Sequence, residues 1–252
     1  MTKSGASAGT GPAARFHATV AQLGQAQKHR ARGAPAYSVY LNRPLGRRLA
    51  AAAYLLGMSP NAVSMVSAAF TFSAIVLVAA VPPGIGFGFL VAALLVVGYA
   101  LDSADGQVAR LGGGGSAAGE WLDHVLDCIK SSTMHLAVLI AVFRFGHVPS
   151  RLWLLVPLGF SVVAAVSFFA SILNDQLKSR HTGPATVADP RASTPLRSLL
   201  GLPTDYGVLC LAFVFLGWPR LFFTIYTILF MANLCYLALA APKWFHDMKG
   251  LQ

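Results

Sequence analysis

"LDSADGQVARLGGGGSAAGEWLDHVLDC", Leu101 to Cys128, is the stretch whose reading decides the rest of this chain. It holds five of the nine carboxylates in the sequence: Asp102, Asp105, Glu120, Asp123 and Asp127. Long apolar runs flank it on both sides, in a chain of net charge +10. Ionisable groups next to a hydrocarbon phase are costly, and they persist where they have a use.

Working outward, the composition settles the class. Of 252 residues, 56% are hydrophobic and 11% are charged, against about 25% charged in a soluble domain. With a mean hydropathy of +0.62, the sequence is that of a membrane protein. Its basic residues sit in short stretches between apolar runs. Cytoplasmic loops look like this, so nucleic acid is not the expected partner. Cys128, Cys210 and Cys235 lie in or beside apolar runs. They read as small packing residues without metal spacing or a disulfide framework.

Residues 1–35 are small, polar and basic with no continuous apolar core, which predicts a disordered cytoplasmic arm and no cleaved signal peptide. Residues 36–57 interleave Arg43, Arg47 and Arg48 with Tyr37, Tyr40, Leu41, Leu45 and Leu49. That mixture predicts an amphipathic helix lying in the interface of an anionic bilayer, or alternatively one packed on protein. Six apolar segments follow, at about 61–81, 85–101, 119–145, 152–173, 203–218 and 221–241. Most reach the ~20 residues that cross ~30 Å of hydrocarbon, and the fifth is short. The expected fold is therefore an all-α integral membrane protein. Six transmembrane helices occupy 58–242 and a short tail follows at 243–252.

Charge orients it. The tight connections on one side carry only Arg144, Arg151 and Arg220. The other side carries eight Lys and Arg before Asn61, then Arg110, Lys178, Arg180, Arg191, Arg197, Lys243 and Lys249. The positive-inside rule places both termini and the acidic segment at the cytoplasmic face of the cell membrane.

Asp102 and Asp105 end the second run one turn apart, and Gly119, Asp123 and Asp127 form a stripe on the third. Four carboxylates from adjacent helices can thus converge across a short glycine-rich connection. Their mutual repulsion asks for a hard divalent cation, for which oxygen ligands suit magnesium, manganese or calcium. Such a cation suggests a phosphate-bearing ligand. Arg110 and the start of the third helix offer phosphate contacts at the same place. Ion pairing of the acids with Arg110 and Lys130 is the structural alternative, and a divalent-cation transporter is the functional one. His124 is turned about 100° off the stripe and reads as packing. Lys130 and Ser131 lie one turn deeper than Asp127 and are candidates for an acceptor pocket. Lys178 and Arg180 close the fourth run and are candidates for a polar or phosphate group of that acceptor.

Asp102, Asp105-Gly106, Ala109-Arg110, Gly119, Asp123 and Asp127 match D-x2-D-G-x2-A-R-x8-G-x3-D-x3-D at every fixed position. The pattern resembles the signature of the CDP-alcohol phosphotransferases, integral membrane enzymes of phospholipid synthesis. "MSPN", Met58 to Asn61, is similar to that family's "TPN" element, with Ser59 in place of threonine. The resemblance covers about 57–178; the first 35 residues and the last two spans match in hydropathy alone. It implies six spans, a cytoplasm-facing site and a homodimer. It also implies magnesium or manganese, two ions, held by Asp102, Asp105 and Asp123, with Asp127 as general base and further ligand. Asp105, Gly106, Ala109, Arg110, Gly119 and Asn61 would line the nucleotide of a CDP-linked lipid donor. Transfer from CDP-diacylglycerol to an acceptor alcohol, releasing CMP, is the implied reaction. "GEWLDHVLD" is similar to the "GELFDHGCD" of the amino-alcohol branch, which keeps a CDP-choline or CDP-ethanolamine type of donor open.

Overall fold

The computed structural model describes residues 11–25, 36–146, 150–182 and 201–251. Among these, every regular element is helical: α1 (Pro12–Gln25), α2 (Arg43–Leu55), α3 (Pro60–Ala80), α4 (Ile85–Leu111), α5 (Ala117–Phe145), α6 (Leu155–Thr182), α7 (Tyr206–Ala212) and α8 (Pro219–Lys249). Short 3-10 turns precede α6 (Arg151–Leu154) and α7 (Leu202–Thr204), and another continues α7 (Phe213–Gly217).

Five helices, α3, α4, α5, α6 and α8, are long and apolar enough to cross a membrane. The expected fifth span differs from them. α7 and its continuation cover only Tyr206–Gly217, roughly 20 Å at 1.5–2.0 Å per residue. That is short of the ~30 Å hydrocarbon thickness. Burial accounts for its persistence, since Leu209, Cys210, Phe213 and Leu216 are all inside the bundle. Its backbone also lies hard against α4. A Cβ on Gly88 would stand 2.8 Å from the Val214 carbonyl oxygen and 2.9 Å from that of Phe213, so only a glycine fits.

Side-chain contacts give the directions. Ser67 Oγ donates to the Gly98 carbonyl (2.8 Å), joining α3 to α4. Ser161 Oγ donates to Ser132 O (3.1 Å) and His135 stacks on Phe160 at 3.9 Å, so α5 and α6 are antiparallel. Trp153 meets Phe223, Phe160 meets Phe230 and Lys178 pairs with Asp247, so α6 and α8 run parallel. One buried cluster, with Val78, Val91, Leu95, Met134, Phe213 and Tyr226, fills the middle of the bundle.

The expectation of a disordered arm is corrected over part of its length. Phe16, Val20 and Leu23 recur at helical spacing, and in α1 that stripe packs with Ala50, Ala51 and Ala53 of α2. The apolar face compensates the ordering entropy that the polar composition alone would not. Residues 1–10 and 26–35 lie outside the described part. The tail expected at 243–252 is also largely helical, because α8 continues to Lys249.

The 36–57 segment is anchored to protein on one side. Asn42 Nδ2 donates to Tyr99 O (3.2 Å), the Ser38 N–H donates to Asp205 Oδ2 (2.9 Å), and Ala50 and Ala51 are fully buried. Its other side presents Leu41, Leu45, Tyr54, Leu55 and Leu56. The reading of a helix packed on protein therefore holds for the first of these sides.

Gly88→Val should push the Phe213–Gly217 backbone off α4 and cost about 1–3 kcal/mol, read as a lower melting temperature in detergent. An unchanged melt would mean that this approach is not tight.

Candidate metal centre

The acidic stretch folds as the end of α4, a turn and the start of α5. Ser116 caps α5, its Oγ accepting from the Gly119 N–H at 3.1 Å, as short polar residues do at helix starts. Between the helices, Gly113 and Gly114 have φ of +93° and +129°, conformations that an L side chain rarely adopts. The Gly114 N–H bonds back to Ala109 O at 2.9 Å. The glycine run is thus a tight reversal between the last turns of α4 and the first turns of α5, and α3 packs on both helices.

One carboxylate oxygen from each of Asp102, Asp123 and Asp127 lies within 4.8 Å of the other two. Two ligands on opposite sides of one magnesium are ~4.2 Å apart, given ~2.1 Å bonds, so the spacing is close to what a single hard ion spans. Asp105, expected as a fourth ligand, stands outside this set. It is buried, with Oδ2 accepting from Ser64 Oγ of α3 and Oδ1 from the Gly106 N–H.

Lys130 enters the cluster itself. Its Nζ is 3.0 Å from Asp102 Oδ1 and 2.5 Å from Asp127 Oδ1, and it lies 5.4 Å from the centre of the Tyr206 ring. The other acceptor candidates have partners or positions of their own. Ser131 Oγ donates back to Cys128 O (3.1 Å), Lys178 pairs with Asp247 (3.4 Å), and Arg180 is exposed in the last turn of α6. His124 pairs with Glu120 at 3.8 Å, in keeping with a residue off the stripe.

The residues expected around a nucleotide lie on α4 and α5 with the aspartates and at the start of α3. A terminal nitrogen of Arg110 comes within 3.6 Å of where a Cβ on Gly106 would stand, so the guanidinium folds over bare backbone. Asn61 Oδ1 is 3.0 Å from where a Cβ on Gly119 would stand. α3 therefore delivers Asn61 to the one place on α5 that has no side chain. Ala109 is half-buried on the same turn as Arg110.

Ser64 and Tyr206 were not found by sequence reasoning. Ser64 had a readable signal: with Ser67 and Thr71 it forms a polar stripe at helical spacing in an apolar span. That stripe lines a crevice of about 10 Å³ together with Asp102, Asp123 and Lys130. Tyr206 carried none, because its proximity to Lys130 depends on how α7 docks.

The CDP-alcohol phosphatidyltransferase family model matches residues 57–240. No curated protein sequence matches this chain. Among solved structures, the chain is similar to Mycobacterium tuberculosis phosphatidylinositol phosphate synthase (PgsA1) in complex with manganese and citrate. The identity is 21% and the TM-score 0.48, over 79% of this chain and 87% of that one. It is also similar to the same synthase with CDP-DAG bound, at 20% identity and a TM-score of 0.48, over 82% of this chain and 93% of that one.

Ser64→Ala should leave the buried Asp105 carboxylate one donor short and destabilise the protein by about 1–3 kcal/mol. Thermal melting of the metal-free protein checks this, and an unshifted melt would deny the Ser64–Asp105 bond.

Proposed function

The chain belongs to the CDP-alcohol phosphatidyltransferase family, and on that premise we propose that it moves a phosphatidyl group from CDP-diacylglycerol to an acceptor alcohol. The observation that carries this reading is the convergence of Asp102, Asp123 and Asp127 from two adjacent helices, within the full family signature. Three anions so close bind a pyrophosphate donor poorly unless a cation joins them. Their all-oxygen donor set suits magnesium or manganese. When bound, the ion neutralises the pyrophosphate oxygens and the charge developing on departing CMP.

The chain's own residues supply the rest. Asp102, Asp123 and Asp127 hold the ion, and Asp105, kept in place by Ser64, joins the donor side. Gly106, Ala109, Arg110, Gly119 and Asn61 line the nucleotide, with the Arg110 guanidinium facing phosphate. Asp127 takes the proton of the acceptor hydroxyl, whose oxygen forms a bond to the lipid-side phosphorus as the bond from that phosphorus to CMP breaks. A positioned base contributes about 10²–10⁴-fold. Arg180 and Lys178, at the end of α6, are the proposed contacts for a polar acceptor group.

The unit that does this is 58–242. The apolar side of 36–57 lies on the bilayer, and two chains form a homodimer. The proposed topology has six crossings, five by the long helices. The parallel run of α6 and α8 supports a return between them, for which Tyr206–Gly217 is the proposed segment. The site and both termini then face the cytoplasm, following the lysine and arginine count.

Asp127→Asn keeps size but cannot accept the proton. It should retain CDP-donor binding while CMP release falls about 10²–10⁴-fold. Asp105→Asn should lose donor binding as well, and thorough chelation should abolish turnover of the wild type. Full CMP release by chelated enzyme, or normal turnover by Asp127→Asn, would sink the corresponding assignment. A screen of acceptor alcohols, reading lipid product by mass, identifies the second substrate.

For topology, single cysteines at Ser150 and Ser179 can be probed after replacing Cys128, Cys210 and Cys235. An impermeant reagent should reach only Ser150→Cys from outside sealed cells; equal labelling would overturn the orientation.

A further inference from the structure

We infer that the Lys130 ammonium is a built-in counter-ion of the aspartate cluster, which a divalent ion must displace from Asp102 and Asp127 in order to bind. This rests on the reading above, in which the aspartates hold that ion.

Three observations lead here. The first is contact: Lys130 Nζ lies on Oδ1 of both Asp102 and Asp127, at 3.0 and 2.5 Å. These are two of the three residues whose oxygens form the candidate centre, and an ammonium on those lone pairs denies them to a metal. The second is direction. A lysine near a membrane surface ordinarily extends its amine outward to water. Lys130 is turned inward instead, with its side chain 12% exposed and the Tyr206 ring on its flank. The third is anchorage. Lys130 follows Asp127 by three residues on α5, so the helix itself holds the amine at the site.

The consequence is a competition. Without metal the aspartates are partly neutralised, so the clustered acids do not drive the helix ends apart. With metal, the ion's affinity is reduced by whatever it takes to remove the ammonium. A pyrophosphate donor contributes further oxygens to the ion and offers the displaced ammonium new acceptors in place of the carboxylates, so it tips the competition. Metal and donor therefore bind with mutual assistance.

The test is direct metal binding to purified full-length protein without donor. Free Mn2+ is followed by its paramagnetic resonance signal, and melting temperatures are recorded with and without the ion. Lys130→Met should bind Mn2+ about tenfold more tightly than wild type, since the competing charge is gone. Its metal-free form should melt lower, because uncompensated half-buried carboxylates remain, and Mn2+ should raise its melting temperature more than it raises that of wild type. Lys130→Gln, which keeps a donor but no charge, should tighten binding in the same sense and serves if the methionine variant does not fold. Lys243→Met, removing an exposed charge on α8, should leave affinity unchanged. Mn2+ binding by Lys130→Met or Lys130→Gln that is equal to or weaker than wild type overturns the counter-ion role, while the metal reading stands. If neither wild type nor variants bind Mn2+, the metal assignment falls and this inference with it.

Discussion

Carboxylates brought together in a medium of low dielectric must be compensated, and much of this molecule is arranged around that requirement. Asp102, Asp123 and Asp127 converge to within 4.8 Å, where their repulsion is far stronger than in water. Their neighbour Asp105 is buried and is held by a hydroxyl and a backbone N–H. The protein supplies one full positive charge inside the cluster, on Lys130. One ammonium cannot balance three acids, and the remaining negative charge is of the kind that a harder, more highly charged cation could offset.

That arrangement needs the ends of α4 and α5 held at a fixed spacing, and α3, which packs on both, holds them, with small side chains more than large apolar ones close to the acids. Gly113 and Gly114 make the reversal between α4 and α5. Ala104 and Val108, on the same turns of α4 as the acids, pack with Ala50, Ala51 and Ala53 of α2 and Leu23 of α1. The first two helices thus brace the acidic end of α4. The larger side chains, Phe160, Phe213, Phe222 and Tyr226, gather in the core of the bundle, where they add stiffness without approaching the acids.

Particular residues show what was legible in advance. The eight fixed residues of the signature specified chemistry by type and spacing, and period-four repetition alone put Asp123 and Asp127 on one stripe of α5. The spans were legible from hydropathy because length and apolarity are local properties. α1 was missed for the opposite reason. Its stripe of Phe16, Val20 and Leu23 is diluted by polar neighbours and is stabilised by a partner helix, so composition alone read it as disordered. The short Tyr206–Gly217 segment was legible as apolar. That it winds only roughly 20 Å (at 1.5–2.0 Å per residue) and survives by burial against Gly88 was not.

By itself, the sequence determined the class of the protein, the run of apolar spans and the identity of the acids, because charge, hydropathy and helical period are carried by residues close together in the chain. Only the tertiary structure decided how those acids divide. Asp105 turns to Ser64 of α3, forty-one residues away along the chain, while Lys130 turns into the cluster beneath Tyr206 of α7. Neither choice has a local cause. Each depends on which side chain from a distant helix fills the space beside a buried charge, and that is settled by packing.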